Sequence, residues 1–166
     1  MTEQRGGAMF HREAQAHKFI EWLSFQPSGS DICRALVTEY LLDMNPYSAR
    51  ISRLNSDDSA TYIGEYGYQK DEAELCQTVP GQVWRNLPTV SAMIASGRLH
   101  GNWSPDGKLV VLELRDHGSI QGFLSFRFVN PRSQEGQELI ALDINLFALP
   151  LSLYLSFQNR TLNHMN

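Results

Sequence analysis

The sequence predicts an α+β domain: a five- to six-stranded, mostly antiparallel sheet with helices packed on it. Three observations carry that expectation. Apolar side chains at three- and four-residue spacing occupy both ends of the chain. Alternating strand-like runs, separated by clusters of Gly, Pro, Asn, Asp and Ser, occupy the middle. The chain has 166 residues, 42% hydrophobic and only 19% charged, which suits one domain with a real core rather than a disordered segment.

The elements follow in order. Residues 1–9 are polar and are expected to be disordered. Phe10 to Phe25 reads as a helix with Phe10, Ala14, His17, Ile20 and Leu23 on its inner side. The turn cluster from Gln26 to Ser30 ends it, and Ser30 caps a second helix with Asp31 at its positive end. Ile32, Ala35, Leu36, Tyr40 and Leu41 form that helix's apolar stripe, and Asn45-Pro46 stops it.

Ser48–Leu54 and Ala60–Tyr66 read as strands joined by the polar turn Asn55 to Ser59. Residues 67–87 form an irregular connector, and Pro88 to Ser96 reads as a short helix closed by Gly97. A meander follows. Arg98–Trp103 and Lys108–Arg115 flank Ser104-Pro105-Asp106-Gly107, and Ile120–Val129 returns after Asp116-His117-Gly118-Ser119. A long helix then runs from about Ser133 to Asn159, so the domain spans residues 10–159, with 160–166 as a tail.

That last helix is apolar nearly all round, through Leu139, Leu142, Ile144, Leu146, Phe147, Leu149, Leu153, Tyr154 and Phe157. Such a helix must be covered on every side, and a sheet covers only one. A homodimer through the N- and C-terminal helices is therefore expected, with Leu146, Leu149, Leu153 and Phe157 at the interface. Its uncharged run, Ile144 to Phe157, is too short to span a bilayer, so no membrane partner is expected. Pro150 is expected to kink it.

Little in the chain signals catalysis. No phosphate loop, zinc pair or nucleophile elbow occurs, and the five histidines lack ligand spacing. Cys33 reads as packing, and Cys76, after Glu72 and Glu74, lacks basic neighbours that would activate a thiol. Neither an enzyme nor a metal or cofactor is expected; a reaction using Cys76 or His100 is the weakest reading. The net charge of −4 argues against this chain itself gripping nucleic acid. Two distant cysteines and no apolar leader fit a reducing cytoplasm.

The aromatic residues suggest a binding site. Tyr62 and Tyr66 flank Gly64 on one strand, Trp84 lies in the connector, Trp103 ends a strand, and Phe123 interrupts the polar face of the last strand. Converging beneath the connector, they would line a cavity for a small ligand, with Arg127 meeting its acidic group.

The segment Leu87 to Arg98, LPTVSAMIASGR, resembles the mid-domain motif of GAF domains, and Ile120 to Phe126 is similar to that family's late strand. The related PAS fold is the alternative within the same resemblance. The resemblance spans about residues 15–158 in its order of elements. It implies a sensor domain that binds a small molecule, dimerises through terminal helices and controls an output domain, as in bacterial LuxR-type helix-turn-helix transcription regulators. DNA would then be met only through an output domain outside these 166 residues. The family's cyclic-nucleotide signature, bilin-attaching cysteine and reductase cysteine cluster are absent. A ligand-free interaction and dimerisation module is the alternative.

Overall fold

The computed structural model describes residues 2–57, 59–67, 78–79, 102–103 and 106–165. Helix α1 covers Thr2–Leu23, so the segment expected to be disordered is helical. Its buried face also differs from the expected one. Arg12, Ala16, Phe19 and Leu23 are buried, whereas Ala14, His17 and Ile20 face solvent. An arginine on the inner face hides this stripe from a hydrophobicity reading. Arg12 is satisfied there by the Tyr40 carbonyl at 2.6 Å and by ion pairs to Asp43 and Asp143.

Helix α2, Gly29–Ala35, is capped by Ser28 rather than Ser30: Ser28 Oγ accepts from the Asp31 amide at 3.1 Å. A π-helical turn, Leu36–Tyr40, and a 3₁₀ turn, Leu42–Met44, continue it to Asn45, whose left-handed backbone (φ 57°) redirects the chain into the sheet.

The strands are β1 (Pro46–Leu54), β2 (Ala60–Tyr66), β3 (Thr78–Val79), β4 (Asn102–Trp103), β5 (Leu109–Asp116) and β6 (Ser119–Phe128). Their order is β3-β2-β1-β6-β5-β4, and all described pairings are antiparallel. The body of the sheet is four long strands, β2-β1-β6-β5, narrower than the five to six expected. Only two-residue strands extend it at either edge, and Asn102–Trp103 is all that is described of the strand expected at Arg98–Trp103. The expected helix at Pro88–Ser96 and most of the connector lie outside the described residues.

Helix α3, Gln134–Met165, runs unbroken through Pro150. Its inner face, including Ile140, Ile144, Phe147, Leu151 and Leu155, joins α1, α2 and one face of the sheet in a single core. Phe19 meets Tyr40 and Phe147 edge-on there, at 5.3 and 5.4 Å between ring centres. The opposite side of α3 carries Leu139, Leu142, Leu146, Leu149, Leu153 and Phe157, each 39–66% exposed. Among the described residues, the row from Leu139 to Leu153 lies on the side of α3 turned away from α1 and the sheet. By length and composition the Gln134–Arg160 stretch could cross a membrane, its most apolar 18 residues having mean hydropathy 1.7, yet half of those 18 are buried in the fold.

Candidate functional site

The helices pack on one face of the sheet, through Ala49, Ile51, Leu112, Leu114, Leu124 and Phe126. Alternation then sends the intervening residues to the opposite, outer face. Register places them in rows, because residues directly across neighbouring strands share a face. Glu113, Phe123, Ser52 and Tyr62 form one row. Val111, Ser125, Arg50 and Glu65 form the next, and Leu109, Arg127 and Ser48 the third.

This face mixes chemistry that a plain solvent face or a plain core would not. Val111 and Phe123 are buried on it with Ala60, next to Leu54, Leu109 and Ile120. Ser48, Ser52 and Glu113 are buried as well. Arg50 and Glu65 form an ion pair, as do Arg115 and Glu113, and the Arg50 guanidinium lies 4.2 Å over the Tyr62 ring. Ser48 Oγ is fully buried with no hydrogen-bond partner among the described residues. A buried hydroxyl left unpaired is costly unless something else meets it.

A β-bulge decides which aromatics belong here. Ile51 pairs with Gly64 but Ser52 pairs with Tyr62, so Ile63 is the extra residue of β2. The slip puts Tyr62 on the outer face beneath Arg50 and leaves Ile63 and Tyr66 against the helix-side core. Tyr62 and Tyr66 therefore do not share a face, contrary to the strand alternation read from the sequence. Gly64 does not open a ligand space either. A Cβ there would lie 2.1 Å from the Gly29 carbonyl carbon, so the glycine pair lets α2 settle onto β2.

Trp103 is also on the helix side, stacked on Phe128 with 5.6 Å between ring centres. Of the six expected ligand contacts, Tyr62, Phe123 and Arg127 share the outer face, Tyr66 and Trp103 do not, and Trp84 lies outside the described residues. So do Cys76 and His100. Cys33 is fully buried, and burial pushes its thiol well above the ordinary value, which suits packing rather than reaction. Among the described residues no group of His, Cys, Asp and Glu could hold a metal ion.

The sequence reading passed over Ser48, Arg50, Ser52 and Glu113. Its signal was present in β1, where Ser48, Arg50 and Ser52 alternate with Ala49 and Ile51.

The outer face is tied to α3 at the β5–β6 turn. Asp116 accepts hydrogen bonds from Ser156 Oγ at 2.5 Å and Arg160 Nη2 at 3.3 Å. Gln121 Oε1 accepts from Asn159 Nδ2 at 3.0 Å. The hairpin that carries Glu113 and Phe123 therefore grips the distal part of the long helix.

No protein-family model matches the chain, and no curated protein matches it. Solved structures do. The GAF domain of an Acinetobacter phosphoenolpyruvate-protein phosphotransferase superposes with a TM-score of 0.61 at 9% identity, over 87% of this chain and 92% of that one. The nlh2 GAF domain of A. aeolicus, in an inactive state, gives 0.58 at 10% identity, over 89% and 97%. A phycoerythrobilin-bound GAF domain from a cyanobacterial phytochrome gives 0.57 at 14% identity, over 90% and 97%. At such identities the likeness establishes a GAF-like fold.

Proposed function

We propose that this GAF-like chain is a cytoplasmic sensory and regulatory domain of a bacterial transcription regulator, taking a small molecule on the outer face of its sheet and working as a homodimer. An output DNA-binding domain outside these residues would carry the response. The observation that supports this most is the outer face itself: buried serines, an ion pair and two aromatics in register, beside an unpaired Ser48 hydroxyl. Such a surface offers a ligand both a flat apolar contact and several polar ones. Binding can shift α3 only if the ligand prefers one of two arrangements of the sheet and helix. The Asp116 and Gln121 contacts supply a mechanical link for that preference.

A thermal-shift screen of small metabolites tests the reading. A ligand at 100 times its Kd should stabilise the domain by about 2.7 kcal/mol. Tyr62→Ala and Ser48→Ala should each abolish the response while the variants remain folded. A library without any response, or a response that both variants keep, removes the outer-face assignment and favours a ligand-free interaction module.

A further inference from the structure

We propose that a second copy of this chain packs along the exposed face of α3 in antiparallel orientation. The inference rests on the homodimer in the reading above and adds the geometry of its partner surface. The exposed apolar row, Leu139, Leu142, Leu146, Leu149, Leu153 and Phe157, advances by three or four residues at each step. That spacing makes a continuous seam of the kind one helix buries against another. Extended one step at each end, the seam reaches exposed Glu135 and exposed Arg160.

Those two charges select the orientation. A parallel pair would set Glu135 beside its own copy and Arg160 beside its own copy, like charges at both ends. An antiparallel pair centred between Leu146 and Leu149 sets Glu135 opposite Arg160 at both ends. The same axis pairs Leu142 with Leu153 and Leu146 with Leu149, and brings Leu139 to within one residue of the level of Phe157. The row is thus self-complementary under a two-fold axis, the symmetry of an isologous dimer. Arg160 keeps donors for this role, since its side chain remains 67% exposed while it meets Asp116.

Cysteine cross-linking tests it in a Cys76→Ser background, where the other native cysteine, Cys33, is buried. In the antiparallel pair the two Leu142 positions lie about 16 Å apart along the axis, eleven residues at ~1.5 Å each. That is beyond the ~7 Å Cα reach of a disulfide. Leu142→Cys alone and Leu153→Cys alone should stay uncross-linked under mild oxidation, whereas an equimolar mixture should form a covalent heterodimer.

Glu135→Arg should weaken dimerisation at least several-fold in light-scattering dilution series, because it would face Arg160. Self-cross-linking of the single variants together with an unmoved Glu135→Arg overturns the antiparallel geometry but leaves a dimeric sensor standing. A monomer at every concentration overturns the partner surface altogether, and co-sedimentation of that monomer with phosphatidylglycerol vesicles would assign the row to lipid. Neither result touches ligand binding, which the thermal-shift screen reads separately.

Discussion

Asp116 is where the sheet and the long helix meet in one carboxylate. The hydrogen bond from Ser156, with Arg160 and His117 nearby, holds its pKa below the usual carboxylate range. Its unfolded reference lies near ~3.9. A folded value below that reference means the stabilisation is fully present above it and fades as pH falls through the lower folded pKa. Asp116→Asn should therefore unfold at lower urea than the wild type at pH 7, and the gap should shrink at pH 3. A gap of equal size at both pH values would show that the charge is not what Ser156 and Arg160 hold. At this scale the sequence was half legible. A glycine inside a strand, such as Gly64, announces a close approach. That the approaching group is the backbone of Gly29 rather than a ligand depends on how α2 docks, and local sequence does not encode that.

Elements were read more reliably than the faces they present. The bounds of β2 matched because turn residues punctuate both of its ends. Its faces did not match, because one bulge residue inverts alternation and bulges carry no fixed residue signature. Helix α1 shows the same effect by another route. Arg12 occupies a core-facing position that three acceptors make tolerable, so the true stripe looked polar and its neighbour looked apolar. The two faces separate by mutation. Phe19→Ala, which empties the aromatic cluster with Tyr40 and Phe147, should cost about 3–5 kcal/mol in denaturant unfolding. His17→Ala, on the exposed face, should stay within about 0.5 kcal/mol. Equal effects would return the inner face to the residues that periodicity first suggested.

At the scale of the molecule, the helices bury one sheet face and leave α3 with apolar surface on its far side. The expectation of an all-round apolar helix was sound because composition alone determines it. Which half faces away from the core follows from the packing of α1 and the sheet, a tertiary outcome. A row of six large apolar side chains, each at least 39% exposed, exceeds the scattered apolar exposure of ordinary monomers. If a second copy covers it, folding and association are linked, and stability must depend on protein concentration. Raising the concentration 100-fold should lift the wild-type Tm by a few degrees, since about 1 kcal/mol moves a domain of this size by roughly 2–4 °C. Leu149→Glu, which places a charge at the middle of the seam, should lose that dependence while leaving the inner face of α3 in place. Scanning calorimetry of both proteins across that range decides the matter. A wild-type Tm that does not move with concentration would mean the row is not buried by a twin during folding, whatever else it contacts.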